Sequence, residues 1–316
     1  MTQPAVQWLS VDEWRERQWA HRERVDPWVQ PRLERRSRGA AHPIDDFLFD
    51  YYSYRPGQLR RWHPGFGVAL AGSARDLADF ARDPEYVAIE GGVTVSEPRL
   101  ARHRERLEAA RDLLTATRDR EPRWGCFGLH EWAMVYRLPP DAVRHSSWPL
   151  RLTPGQIAEV VELNGLRCTH FDAFRFYTDA ARPLNELTLS RAGQVAVEQP
   201  GCLHATMDLY KIAYQFAPFV DSELVADAFD LAREVREVDM RASPYDTSTL
   251  GLEPIMVEAS AGRREFVDHQ RRFAALAAPL RERLLRRIEA LLGTATPNGP
   301  SNRVKGPTFT VTPTDC

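Results

Sequence analysis

The chain has 316 residues, of which 43% are hydrophobic and 27% are charged, a composition typical of a globular protein with a sizeable core. Its 42 basic and 44 acidic residues give a formal net charge of −2, which excludes the strong overall positive charge of many nucleic-acid-binding proteins. The sequence has no signal-peptide pattern and no apolar run of the roughly 18–20 residues that a membrane span needs, so we expect a soluble, cytoplasmic protein with no membrane partner. Its four cysteines include no CxxC pair, so we expect no disulfide framework. We also expect no obligate protein partner.

The first third of the chain is predicted to be mainly helical. Ser10 followed by Glu13 is the pattern of a capping box and predicts that a helix begins there. The basic, polar residues 31–40 are interpreted as a solvated link, and a phosphate-binding arm is the alternative. Three further elements are predicted: a helix over residues 73–82, a β-hairpin over residues 86–95, and a long helix from Ser96 to about Arg120.

Residues 42–65 are dense in aromatic side chains, and arginines lie between them. An aromatic face beside a guanidinium can hold a planar ligand, so Tyr52 and Arg55 are candidate substrate-binding residues. The alternative is a core segment with arginines at its rim. Two Pro-Gly pairs, at residues 56–57 and 64–65, predict turns on either side of a short helix.

The second half is predicted to contain four helices and two strands. A capping box at Thr153 predicts a helix that ends at Asn164. The alternating pattern of residues 166–177 favours a strand, which would place His170 and Asp172 on one face. The other predicted elements are a helix over residues 202–217, a helix over residues 222–240, a strand over residues 254–259, and a helix over residues 263–292 that is interrupted near Pro279.

Three short segments between Trp124 and Gln215 repeat one chemical theme, in which a cysteine precedes a histidine and an acid follows. The trios are Cys126/His130/Glu131, Cys168/His170/Asp172 and Cys202/His204/Asp208. An imidazole and a carboxylate at i and i+4 on a helix, or at i and i+2 on a strand, can reach one ion. One hypothesis is therefore a divalent Fe, Mn or Zn site with the candidate ligands His130, Glu131, His170, Asp172, His204 and Asp208.

A second hypothesis requires no metal. Asp172 is the first candidate for a general base or for a carboxylate that stabilises a developing cation, with His170 as its partner. Asp208 and Glu131 are further candidate catalytic carboxylates. Lys211 is expected to pair with Asp208 on the polar stripe of its helix, and a nucleophilic role is the alternative. The candidate substrate-binding residues after Trp124 are Trp132, Phe174, Arg175, Tyr177, Lys211, Arg241 and Tyr245.

Five segments carry a resemblance to a known family. They are residues 42–65, 125–137, 168–185, 198–211 and 239–246. Over about residues 8–285 the chain resembles an actinobacterial protein family commonly labelled 3-methyladenine DNA glycosylase. The resemblance implies hydrolysis of the N-glycosidic bond to a modified purine in DNA repair, with DNA or a nucleobase-containing small molecule as the partner. It assigns no catalytic residue.

The predicted fold is a mainly helical globular domain with a few short β-strands. It is expected to cover residues 1–293, with residues 1–122 as an alternative N-terminal subdomain and residues 294–316 as a disordered tail. The first functional hypothesis is the glycosidic hydrolase, which needs no cofactor. The alternatives are a metal-dependent enzyme that acts on a small molecule and a non-catalytic module that binds a nucleotide or an aromatic ligand. Each catalytic hypothesis requires distant segments to converge on one pocket.

Overall fold

The computed structural model describes residues 6–139 and 148–294. In this part the protein is mainly helical with one small sheet, which confirms the predicted fold class. The helices are α1 (Val11–Ser37), α2 (Phe47–Tyr51), α3 (Pro56–Arg60), α4 (Ala78–Ala81), α5 (Glu97–Ala101), α6 (Arg104–Asp119), α7 (Leu129–Val135), α8 (Pro154–Asn164), α9 (Phe171–Phe174), α10 (Gln194–Val197), α11 (Leu203–Gln215), α12 (Ser222–Arg241) and α13 (Ser260–Thr294). Short 3-10 helices cover Arg182–Leu184 and Ser248–Leu250.

Four short strands form the sheet, in the order β1-β2-β4-β3. They are β1 (Gln7–Leu9), β2 (Val68–Ala71), β3 (Tyr86–Ile89) and β4 (Gly92–Val95). β1 pairs with β2 in parallel, and the other two pairings are antiparallel. The β3–β4 pair confirms the predicted hairpin.

Helix α1 begins as the sequence predicts but is longer. The Ser10 side chain accepts a hydrogen bond from the Glu13 backbone N–H at 3.4 Å, and the Glu13 carboxylate accepts one from the Ser10 N–H at 2.7 Å. The interpretation of residues 31–40 as a solvated link is wrong, because the helix continues to Ser37. Arg32 and Arg35 on this last part hold the buried carboxylate of Asp46, which ties the helix end to the following segment.

Other boundaries differ from the prediction. The helix predicted over residues 73–82 is reduced to α4, and the one predicted from Ser96 to Arg120 is divided into α5 and α6. The predicted interruption at Pro279 is absent, since α13 is continuous through it. Proline removes one hydrogen bond from a helix, but buried side chains on both sides of it, among them Phe273 and Leu284, anchor α13 to the core. The predicted helices α3, α8, α11 and α12 are confirmed.

Both strands predicted in the second half are wrong. No strand covers residues 167–170, and α9 begins at Phe171, inside the range predicted as a strand. The extended residues before α9 are held instead by Asn185, whose side chain bonds the backbone N–H of Cys168 at 2.8 Å and its carbonyl at 3.1 Å. Residues 254–256 have no regular secondary structure, and residues 257–259 form a turn in which the Ala259 N–H donates to the Met256 carbonyl.

Helix α11 lies at the centre of the fold and packs against α12 and α13, and α13 also packs against α6. Nearly every residue of α11 is buried, including His204 and Asp208 of its predicted polar stripe. Buried polar side chains need partners or a function, because removing them from water without either is unfavourable. These buried polar side chains make the centre of the molecule the candidate location of a functional site.

Among the helices of the described residues, none is both long and apolar enough to cross a bilayer. Cys126, Cys168 and Cys202 are free thiols. Residues 295–316, where we predict a disordered tail, lie outside the described residues. The division of the chain into domains stays a prediction.

Candidate functional site: a buried His/His/Asp centre beside a cavity

Three buried side chains from three helices converge near the centre of the molecule. They are His130 of α7, His204 of α11 and Asp239 of α12, and one ligand atom of each lies within 4.8 Å of the others. Their side chains are almost fully enclosed, at 5%, 9% and 0% exposure of the residue. The imidazole rings of His130 and His204 meet edge to face, with 4.4 Å between their centroids. We call these three residues the His/His/Asp centre.

Local structure places each of the three. Gly128, at φ 70°, turns the chain into α7, and a side chain there would lie 3.1 Å from Phe266. Gly201 lets α11 begin close to the preceding backbone, since a Cβ on it would lie 2.8 Å from the Arg123 carbonyl oxygen. Helix α12 is capped by Asp221, whose side chain accepts a hydrogen bond from the Leu224 N–H at 2.9 Å.

The geometry inside the centre is unusual for a hydrogen-bonded pair. Nε2 of His130 lies 2.9 Å from Oδ1 of Asp239 in a direction that is poor for a hydrogen bond, and among the described residues neither atom has another hydrogen-bond partner. Two buried polar atoms that are close together but not aimed at each other are expected where both face a common third point. A cation at that point would satisfy both.

The protonation of the centre follows from its burial and charges. Burial alone would lower the pKa of His130, but the charge of Asp239 beside it raises that pKa overall. Burial and the nearby His130 lower the pKa of His204 well below its usual value, so this imidazole is neutral. A neutral imidazole is the form that binds a metal.

A buried arginine supports the centre from α12. Nη1 of Arg236 donates to Glu131 at 2.8 Å and to Asp239 at 2.9 Å, and its guanidinium lies 3.7 Å from the ring centroid of Phe47. Burial alone would lower the pKa of Arg236, but Glu131 and Asp239 raise it overall. Arg236 therefore stays charged and fixes Oδ2 of Asp239, which leaves Oδ1 directed to the centre.

A second polar group lies on the other side of His204. The ring of His170 stacks on that of His204 at 5.1 Å, and its Nε2 lies 3.3 Å from Asp208 and 3.6 Å from Glu198. Asp208 also accepts hydrogen bonds from the Tyr52 hydroxyl at 3.0 Å and from Lys211 at 2.9 Å. Burial alone would raise the pKa of Asp208, but the bonds from His170 and Lys211 lower it strongly.

Asp172 is surrounded by positive charge. It accepts hydrogen bonds from Lys211 at 2.9 Å and from Arg191 at 3.1 Å, and Arg175 lies 3.3 Å away. Burial alone would raise the pKa of Asp172, but Arg191 and Lys211 lower it below its usual value. Asp172 is therefore ionised, and its carboxylate already interacts with three cations, Lys211, Arg191 and Arg175.

A cavity of about 690 Å³ opens beside these groups. His204 of the His/His/Asp centre forms part of its wall, together with Glu131, Asp172 and Arg236. Aromatic side chains cover another part: Phe47, Tyr51, Phe176 and Tyr245. The volume is in the range of sites for small organic ligands, so the centre has access to a substrate-sized space.

A much smaller space of about 10 Å³ lies on the other side of His130 and His204. All three described cysteines line it. Burial raises the pKa of Cys168 to about 12, and it raises the pKa of Cys126 and Cys202 as well. These thiols are therefore protonated near neutral pH and behave as small core side chains.

The six predicted metal ligands do not act as one set. His130 and His204 belong to the His/His/Asp centre. Glu131, Asp172 and Asp208 are outside it and bind the cations and the hydroxyl described above, and His170 pairs with Asp208 and Glu198. The third member, Asp239, was missed by the sequence reasoning. Its signal was an acid four residues after Val235, in the apolar stripe of α12, where burial requires a partner.

The predicted substrate-binding residues separate into three groups. Arg175 and Tyr245 line the large cavity. Lys211 bonds Asp172 of its wall, and Tyr52 bonds Asp208, which does not line it. The structure places the others elsewhere, which corrects the expected cluster: Trp132 is fully buried and bonds the Ala242 carbonyl, Phe174 and Tyr177 pack on each other in the core, Arg241 bonds the Glu253 carbonyl, and Arg55 is exposed at the start of α3.

Comparison of the chain with protein-family models, with curated proteins and with solved structures finds no match, so the function of the site has to be argued from its chemistry.

Proposed function

We propose that the protein is a metal-dependent enzyme that acts on a small molecule in the 690 Å³ cavity. The proposal depends on one observation above all. His130, His204 and Asp239 bring three ligand atoms within 4.8 Å of one another, and the facing atoms of His130 and Asp239 are buried without a well-aligned hydrogen bond in the described part of the chain.

The donor set fits a catalytic ion rather than a structural one. Structural zinc sites are usually closed by four protein ligands, most of them cysteines. Two imidazoles and one carboxylate leave coordination positions open, and this mixture suits Zn²⁺, Fe²⁺ or Mn²⁺. Because His204 lines the cavity, an open position on that side is accessible to a substrate.

The residues around the centre have defined roles in this proposal. A divalent ion supplies Lewis acidity and lowers the pKa of water, which suits hydrolysis of a polarised bond. Arg236 orients Asp239 through its bond to Oδ2. Glu131 borders the cavity next to the ligand His130, and it can accept a proton from an attacking water once Arg236 holds it in place.

Metal analysis tests this proposal directly. Protein purified without chelator is expected to contain about one divalent ion per chain, and removal by a chelator is expected to lower the melting temperature, because the ion binds only the folded site. Zn²⁺, Fe²⁺ and Mn²⁺ are then returned separately, and melting temperature and stoichiometry are measured. A folded sample that takes up none of the three would refute the proposal.

A second candidate function is cleavage of the N-glycosidic bond of a modified purine without a metal. One observation supports it: Asp172 is ionised and lies in the cavity wall with Phe47, Tyr51 and Phe176, so an aromatic base and a carboxylate could meet there. An ionised Asp172 would stabilise a developing sugar cation rather than take a proton from water. The three cations that share its charge weaken this effect, which is why the metal-dependent function ranks first.

Base release from alkylated DNA tests the second candidate. If it is right, Asp172→Asn is expected to lower release by at least about 100-fold, as the loss of a charge-stabilising group does. Asp179→Asn is the control, since Asp179 is fully exposed seven residues later. Release that is unchanged in Asp172→Asn, or undetectable in the unaltered protein, counts against the glycosidic function. Ligand-induced melting shifts without any turnover would instead indicate a binding module.

A further inference from the structure

We propose that the substrate of the cavity is a small planar anion, of the class of an aromatic carboxylate. This inference rests on the proposed metal-dependent function, because the positive charge that would attract the anion comes from the bound ion. It goes further by naming the charge and the shape of the molecule. Two independent observations carry it: the charge balance around the cavity and the arrangement of its aromatic wall.

Apart from the histidines, the charged side chains around the site balance when no ion is bound. His130, whose pKa is raised overall by the charge of Asp239, loses its proton when a metal ion binds it and so adds no charge to the ion-bound site. Four carboxylates face four cations: Glu131, Asp172, Asp208 and Asp239 against Arg175, Arg191, Lys211 and Arg236. Asp50, another acid of the wall, is matched by Arg32 at 2.5 Å. His170 and Glu198 lie 3.6 Å apart and form a further pair of one base and one acid. A divalent ion in the centre therefore leaves the site with an excess of two positive charges.

An excess of this kind selects the sign of the ligand. Charges inside a partly enclosed cavity interact more strongly than in water, because solvent screening is reduced there. A carboxylate bound at an open position of the ion would cancel half of the excess. A neutral amide of the same shape would cancel none of it, so the charged ligand should bind more tightly.

Arg175 is the cation of the cavity wall that can bind a further anionic partner. Arg175 is 46% exposed, and within residues 6–139 and 148–294 it forms one ion pair, at 3.3 Å to Asp172, beside a hydrogen bond with Tyr51. Asp172 is already bound by Lys211 and Arg191. The guanidinium of Arg175 also lies 4.3 Å from the ring centroid of Phe176, and that stacking keeps it at the cavity. Arg175 is therefore placed to contact an anion without leaving an acid unpaired.

The aromatic side chains of the cavity wall favour a ligand of planar shape. Phe47 and Tyr51 stack with 5.1 Å between their centroids and 10° between their planes, and Tyr51 meets Phe176 at 6.4 Å and 61°. All three line the cavity. Flat rings gain offset or edge contacts on such a surface that a puckered ring of the same size does not. A planar molecule is thus preferred over a saturated one of equal charge.

Three ligands test separately whether the charge and the planar shape of a ligand determine its affinity for the cavity. Zn²⁺-loaded protein is titrated calorimetrically with benzoate, with neutral benzamide and with non-planar cyclohexanecarboxylate, and the zinc content of the same sample is measured. Benzoate is expected to bind about tenfold more tightly than either analogue. Arg175→Gln is expected to lower benzoate affinity about fivefold, a loss reduced by the exposure of this side chain, and to leave benzamide affinity unchanged.

The outcomes distinguish this inference from the function on which it rests. If the folded protein takes up no zinc, the titration is repeated with Fe²⁺ or Mn²⁺, and a sample that binds none of the three ions refutes the metal-dependent function itself. Full zinc content with equal affinity for benzoate and benzamide, or for benzoate and cyclohexanecarboxylate, overturns only the inference about the substrate. A benzoate preference that stays the same after the zinc is removed would also overturn it, because the positive excess would then not come from the ion.

Discussion

Asp239→Asn is expected to weaken metal binding by more than about 100-fold. The carboxylate supplies the only negative charge of the His/His/Asp centre, and an amide of the same shape supplies none. Loss of a residue that merely orients a metal ligand costs about 10–100-fold in affinity, so loss of the charged ligand itself should exceed that range. The measurement is competition with a chelator of known affinity, on unaltered and variant protein.

The same helix offers a matched control for this variant. Asp230 lies on α12 and is about half exposed, and its nearest described cation is Arg233 at 4.0 Å. Asp230→Asn removes the same charge from the same helix and is expected to leave metal affinity within about twofold, because solvent screens it. If Asp239→Asn kept the affinity of the control, Asp239 would not be a ligand and the proposed centre would be wrong.

Arg236→Met is expected to destabilise the metal-free protein by about 3–5 kcal/mol. Arg236 is 2% exposed and binds both Glu131 and Asp239. Methionine fills similar space, but it leaves two buried carboxylates without this cation. The free energy of unfolding is measured by urea titration. The double variant with Glu131→Gln is expected to recover part of the loss, because one of the two carboxylates is then neutral.

The control for Arg236→Met is Arg233→Met, three residues earlier on α12. The Arg233 side chain is 33% exposed, and its acids are 3.7 and 4.0 Å away, so its removal should cost less than about 1 kcal/mol. A bound divalent ion is expected to reduce the effect of Arg236→Met, since the ion compensates Asp239. Equal destabilisation by the two variants would mean that the buried charges do not depend on Arg236.

The sequence predicted the parts of the fold that are encoded locally. The capping boxes at Ser10 and Thr153, the hairpin at Gly91 and the helices α11 and α12 each depend on a few neighbouring residues, and each is confirmed. Elements that depend on distant partners were missed. The segment around His170 has the composition of a strand, but the side chain of Asn185 fixes its backbone and α9 follows.

The candidate site was predicted in part for the same reason. His130 and His204 were recognised because each stands in a compact Cys/His/acid segment, and the structure brings them together. Asp239 stands in no such segment, and only its burial against α7 and α11 gives it a role. Asp172 was the preferred catalytic residue because His170 and Arg175 flank it in sequence. The cations of Lys211 and Arg191, which come from other elements, determine its surroundings instead.

The His/His/Asp centre draws its members from helices that lie roughly a hundred residues apart in the chain, between His130 and Asp239. During synthesis, the first two ligands leave the ribosome well before the third, so an ion cannot be captured in its final arrangement until α12 has emerged and docked. The ion would then bind late in folding, and it would stabilise only the completed fold. Cellular metal supply would accordingly affect how long the finished protein survives, and not how quickly the chain collapses.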